Sequence, residues 1–331
     1  MKKHLPRNAN PRPSRRFSSG LTLIEMMVSL AIGMVVVVAI VALYAGTSGA
    51  SATADAQGRM NEDAQAALSI LTQDLRMAGS NPKQPNRTSA APRNPIFDNT
   101  TYSLRGCEGK FSNITSAASP AALACGGGTT TLPDSIAVSY EADKYNTSPT
   151  TTGAPTDCLG AALNTVSSVV TIATSTGTVT ASVNYYVADN RYYVDTPSGA
   201  SAPSLYCKGV GTTQPLVENV EDIQFTYGTA PAGTRTGTVA GYLDAVGVET
   251  DTTADDTGAT LASLATSPAR WGRVTTVRIC VLVRSERSVA PDTGSAKYYG
   301  CNSSSLTTPS DLRLRKAYYS TVVLRNRLDP P

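Results

Sequence analysis

Six cysteines, Cys107, Cys125, Cys158, Cys207, Cys280 and Cys301, are the residues of this 331-residue chain best suited to covalent chemistry. None stands in a C-x-x-C pair, and the single histidine is His4, remote from all of them in sequence. A zinc site or a Cys–His nucleophile needs partners that this spacing does not supply. An even count without neighbouring histidine points to disulfides, and so to an oxidising compartment. Six cysteines allow about 15 pairings, among which the sequence does not choose. Sequential pairing is the working expectation.

The other candidate groups are sparser. Glu249, Asp251, Asp255 and Asp256 cluster in a Ser/Thr-rich stretch. They could hold calcium, but they lack the D-x-D-x-D-G spacing, so a solvated acidic loop is the better reading. The chain has no GxxxxGK[ST] and no GxGxxG. If the first twenty residues are removed, no histidine remains for a Ser-His-Asp triad. No enzyme activity, cofactor or metal site is expected. The last group is Glu25, a carboxylate at the head of a long apolar run.

These groups must be positioned by an unusual chain. Residues 26–45 carry no charge, with Ser29 and Gly33 as weak interruptions. As a helix they would span roughly 30 Å, one hydrocarbon core. Charge is asymmetric around them. Residues 1–20 carry Lys2, Lys3, Arg7, Arg12, Arg15 and Arg16 and no acid. By the distribution of positive charge, the N-terminus stays cytoplasmic and the remainder is exported. Residues 131–269 are strongly acidic, and residues from Arg270 onward strongly basic. Beyond the apolar run, Met60, Ala64, Ala67, Leu68, Leu71, Leu75 and Ala78 recur at helical spacing, opposite Arg59, Glu62, Asp63, Gln73, Asp74 and Arg76. Gly79 and Pro82 supply a stop. Gly46 to Gly58 is the expected weak or bent part.

Past residue 83 the pattern is that of strands: Ser135–Tyr140, Ser168–Ile172, Val183–Val187, Tyr192–Val194, Ile223–Tyr227, Val274–Val283 and Tyr318–Leu324. Asp189-Asn190 between Tyr-rich runs reads as a hairpin turn. Each Tyr-Tyr pair should place one ring in the core and one outside. Residues 83–131 and 228–269 read as long surface loops.

A Gly followed by apolar residues, Gly20-Leu21-Thr22-Leu23-Ile24-Glu25, and then a long apolar helix resembles the class III signal of type IV prepilins. The resemblance implies cleavage between Gly20 and Leu21 by the prepilin peptidase, and N-methylation of Leu21. The family usually has Phe at that position. It also implies that Glu25 pairs with the N-terminal amine of a neighbouring subunit during assembly. The plainer reading is a first-turn carboxylate that favours the helix dipole. Pro215–Gly228, which reads PLVENVEDIQFTYG, resembles a segment of PilW-type minor pilins, with Val217 and Val220 inward on a short helix or turn. Arg315–Arg327 resembles that family's final strand.

The implied fold is α+β and pilin-like, a long N-terminal transmembrane helix docked on a large antiparallel β-sheet domain with long loops. The implied organisation is a leader over 1–20, a membrane helix over 21–45, its amphipathic continuation over 46–80 and a periplasmic β-rich domain over 81–331. The implied role is type IV pilus assembly, in a filament-priming or tip complex. Implied partners are other minor and major pilins, the prepilin peptidase, a PilY-type adhesin and inner-membrane lipid. The implied location is the inner membrane, single pass, and then the pilus tip or fibre. The alternatives are a J-type pseudopilin of type II secretion, whose members are usually shorter and poor in cysteine, and a tip-located adhesion or DNA-uptake protein. The basic C-terminal segment could meet phosphates, but its bases alternate with apolar residues as on any exposed sheet face, so nucleic acid is not an expected partner.

Overall fold

The structure is a computed structural model that describes residues 20, 22–81, 101–127, 132–174, 176–200, 202–231, 238–251 and 266–328. The leader up to residue 19, Leu21, Asp255 and Asp256 lie outside the described residues. The chain divides into two compact units, Met1–Ala52 and Thr53–Pro331.

In the first unit the described residues form the opening part of helix α1, which runs Leu23–Met77. Its assignment continues without a break through residues 46–58, the stretch expected to be weak. Ser, Thr, Ala and Gly there lower the helix propensity without removing a backbone donor, as proline would.

In the second unit, α1 presents one apolar stripe. Met60, Ala64, Ala67, Leu71, Leu75 and Ala78 are all buried. The small alanines let the backbone approach closely, and the leucines each contribute about 1.5–3 kcal/mol by burial. The helix stops where Gly79 takes a positive φ of 70° and donates its N–H to Ser139 O at 3.0 Å.

The stripe faces two antiparallel sheets. The first holds β1 (Leu104–Cys107), β2 (Ser135–Ala142), β3 (Thr165–Thr174), β4 (Gly177–Asp195), β5 (Ser204–Lys208) and β6 (Thr213–Glu218), in the order β1-β2-β4-β5-β6, with β3 also on β4. The second holds β7 (Val220–Thr229), β8 (Gly241–Leu243), β9 (Val274–Arg284) and β10 (Arg315–Val323), in the order β10-β9-β7-β8. One core joins the helix to both sheets through Leu104, Ile136, Val138 and Tyr192 on one side and Ile223, Phe225, Ile279 and Val281 on the other.

Several expectations are corrected. Asp189-Asn190 is no turn. β4 runs straight through it, with Asp189 opposite Ser139 and Asn190 opposite Val138. The turn preference of the pair is overridden because Asn190 is fully buried and its amide is used. Tyr192 and Tyr193 are both buried, because a second small core of Cys107, Phe111, Ile114, Leu123 and Ala137 covers the other face of the sheet. The stretch read as a loop over 83–131 contains β1, and that over 228–269 contains β8 and a short helix α2 (Ala245–Thr250). All three are short elements whose formation depends on tertiary neighbours more than on a periodic pattern. A further short helix, α3, spans Ser267–Gly272.

The three disulfides are Cys107–Cys125, Cys158–Cys207 and Cys280–Cys301, at separations of 18, 49 and 21 residues.

Candidate assembly site

The start of α1 is a capping box. Thr22 donates both its backbone N–H and its Oγ1 to Glu25 Oε2, each at 2.9 Å, and the Glu25 N–H returns to Thr22 Oγ1 at 3.3 Å. A T-x-x-E spacing ahead of an apolar run is the sequence signal for this device, and it is legible at Thr22–Glu25. Glu25 therefore has a local partner within its own helix. Gly20 is exposed, with open space around its Cα.

Behind Glu25 stands a column of large apolar side chains with no cover among the described residues. Leu23 is 79% exposed, Leu30 74%, Met34 73% and Leu43 70%. Water disfavours such a surface, so it needs lipid or other apolar helices around it. α1 is long and apolar enough to cross a membrane.

In the second unit the PilW-like segment is a junction between sheets. β6 ends at Glu218, β7 begins at Val220, and Asn219 alone connects them with a φ of 63°. Val217 and Val220 are buried, as expected, but on strands and not on a short helix. Asn tolerates the left-handed region better than other side chains. Next to it, Arg315 opens β10 and holds two carboxylates. Its Nε and Nη2 reach Glu221 at 2.5 and 3.0 Å, and its Nη1 and Nη2 reach Asp311 at 2.6 and 3.1 Å. Hydrogen bonding from Arg315 lowers the pKa of Asp311 below the usual aspartate value.

Other bases of the C-terminal segment are also engaged internally. Arg278 lies 3.5 Å from the centre of the Tyr242 ring, Arg273 pairs with Asp251 at 2.9 Å, and Arg313 Nη1 donates to Ser285 O at 2.9 Å. The same contacts revise the acidic loop. Asp251 is held by Arg273, and Glu249 accepts hydrogen bonds from Ser267 Oγ and from Trp271 Nε1. Among the described residues no three carboxylate, cysteine or histidine side chains gather as a metal site.

Sequence reading placed Asp74 on the polar face of α1, but its carboxylate points into the domain. It accepts hydrogen bonds from Tyr192 Oη at 2.5 Å and Asn190 Nδ2 at 2.6 Å. Burial raises its pKa against those bonds. No local signal marks it, since both partners lie more than a hundred residues away in sequence.

The family described as type IV pilus-assembly protein W matches residues 191–326, and the prokaryotic N-terminal methylation motif matches residues 15–41. The first span holds β5 to β10, and the second holds Gly20, Leu21 and Glu25. The expected resemblance to PilW-type proteins and the prepilin-type signal are both present, and they connect the chain with type IV pilus assembly. Among solved structures, the type IV-like pilin TTHA1219 from Thermus thermophilus is similar, at 14% identity and a TM-score of 0.32, covering 82% of this chain and 100% of that one. No curated protein sequence matches the chain.

Proposed function

We propose that this chain is a PilW-type minor pilin that acts in type IV pilus assembly, within a filament-priming or tip complex of minor pilins. The observation that carries the reading is the start of α1, an exposed apolar column headed by a carboxylate that its own helix caps. In this reading residues 1–20 are a leader, residues 21–45 cross the inner membrane, residues 46–80 continue the helix and residues 81–331 form the exported domain. The basic leader keeps the N-terminus cytoplasmic. The prepilin peptidase cuts between Gly20 and Leu21 and methylates Leu21. The chain is a substrate and a building block, with no catalytic step of its own. Other pilins are its partners, and a PilY-type adhesin joins them at the tip.

Glu25 is the assembly contact. In the free subunit Thr22 satisfies its carboxylate. In the filament the Leu21 amine of a neighbour replaces Thr22, because in a low-dielectric bundle a carboxylate is held more strongly by a cationic donor than by the neutral donors of Thr22. The capped state lowers the cost of holding an isolated carboxylate near the bilayer, which is about 2.5–3.5 kcal/mol at the centre of a helix.

Glu25→Ala tests this directly. The variant should insert, fold and be cleaved after Gly20, yet be recovered in sheared pili at less than a tenth of the wild-type level. Wild-type recovery would reduce Glu25 to a helix cap. Gly20→Val should leave the full-length precursor, and terminal sequencing of the native protein should begin at Leu21. Co-purification with secretion components instead of pilus components would favour the J-type pseudopilin.

A further inference from the structure

β3 and the first half of β4 form a ribbon that has no core. Thr165 to Thr174 pair with Tyr186 to Gly177 in unbroken antiparallel register. β2 joins β4 only from Tyr186 onward, and β5 only from Arg191. From Thr178 to Asn184, therefore, neither strand pairs with a further strand among the described residues. Tyr185 at the base of the ribbon is buried, but beyond it the described side chains are exposed on both faces: Val166 by 41%, Val169 by 69% and Val179 by 54%, with Ser167, Thr178, Thr180 and Ser182 also exposed. The register puts Val166 and Val179 on one face and Val169 on the other.

No charged residue occurs between Asp157 and Asp189. Exposed sheet edges are normally blunted by brevity, charge or proline. The other edges of this protein follow that rule. β1 has 4 residues and β8 has 3, β6 contains Pro215, and β10 carries Arg315 and Lys316. The ribbon has a 10-residue outer strand with none of these devices. A two-stranded hairpin is marginally stable by itself in water.

We propose that this ribbon is a docking arm that adds to the low-charge sheet edge of an unlike neighbouring subunit. The proposal rests on the pilin reading. A free edge of unpaired N–H and C=O groups calls for another polypeptide strand. The absence of cations argues against nucleic acid or an anionic lipid surface. At about 3.3 Å per residue and about 4.8 Å between strands, the two faces and free edges offer on the order of 800 Å², one partner's share of a standard interface. A like-to-like pair of ribbons would close on itself, whereas a growing filament needs unlike surfaces in contact.

The test uses the full chain in its own cells, in place of the chromosomal copy. A photoreactive phenylalanine replaces Val169, Val179 or, as a control, Tyr145, which is 84% exposed elsewhere. Irradiation should give one discrete adduct with a different protein from positions 169 and 179, and none from 145. Ser167→Lys with Thr180→Lys places charge on the exposed polar positions and should lower that adduct at least tenfold, with the amount of protein unchanged. An adduct at twice the chain's own mass, an adduct with lipid, no adduct, or an adduct unaffected by the lysines would each overturn the arm. Pilus recovery is measured in the same cells. Pili containing the chain without an adduct refute the arm alone, and an adduct in a chain absent from pili refutes the pilin reading alone.

Discussion

Asp74 on α1 accepts a 2.5 Å hydrogen bond from Tyr192 Oη on β4, and this pair fixes the helix to the first sheet by a polar contact inside an apolar junction. Burial raises the pKa of Tyr192 well above its ordinary value, so the hydroxyl remains a donor. Tyr192→Phe keeps the ring and removes the donor. A buried carboxyl left short of a partner costs about 1–3 kcal/mol. Urea denaturation should show that loss for Tyr192→Phe, and next to none for Tyr145→Phe, whose ring is in solvent.

Asp134 should make stability depend on pH in the direction opposite to an ion-paired carboxylate. It accepts the Phe225 N–H at 2.8 Å and the Gly109 N–H at 3.3 Å, and burial pushes its pKa up to about 8. An unfolded aspartate titrates near about 3.9. Between these values the unfolded chain releases a proton that the folded chain keeps. Stability contributed here is therefore full below pH ~4, falls as pH rises and levels off above pH ~8, at a slope of at most about 1.4 kcal/mol per pH unit. Asp134→Asn should flatten that slope. Asp74 shifts in the same direction, so some slope should persist in the variant. Chemical denaturation at a series of pH values measures both.

The helix stripe and most strands were legible because each repeats a local period over several residues. Asn190 and Tyr193 were not. A turn-forming pair and an outward-facing ring are local expectations, and both were overridden by groups far away in sequence. Asn190 is drawn into β4 by Asp74 and by the Cys158 N–H, and Tyr193 is covered by the loop that carries Phe111 and Ile114. At the assembly site the apolar column and Glu25 were readable from residue type alone. The capping role of Thr22 was written in the T-x-x-E spacing. Asp74 had no such signature, because a carboxylate among other polar residues of a helix face looks solvated until its partner is known.

Gly106 on β1 marks a close approach that sequence pattern does not disclose. A Cβ there would stand 2.6 Å from Tyr227 Cζ and 3.1 Å from the Trp271 ring. Tyr227 and Trp271 meet edge to face at 4.9 Å, so neither ring moves aside cheaply. Gly106→Ala should cost about 1–3 kcal/mol by overpacking. Tyr227→Leu will also destabilise, since it removes a fully buried ring, but it empties the space that the new methyl needs. In a double-mutant cycle the two losses should fall short of additive by more than about 0.5 kcal/mol. Additive losses would show that Gly106 matters for a reason other than this ring.

Asn219 carries the chain from the first sheet to the second in a single residue, and its side chain is the reason it can. With a φ of 63°, the backbone stands in a region that costs ordinary L-residues roughly 1–2 kcal/mol, and β-branched ones more. Its carbonyl also accepts the Arg284 N–H at 2.9 Å, tying the junction to β9. Asn219→Gly removes the steric cost and keeps that carbonyl, so its stability should lie within about 0.5 kcal/mol of wild type. Asn219→Val must either hold a strained φ or shift the registers of β6 and β7. It should lose about 2 kcal/mol or more, and the loss should appear as faster hydrogen exchange at the β7–β9 pairs, where Phe225 faces Ile279. Equal stability of the Val and Gly variants would mean that the junction does not need its left-handed turn.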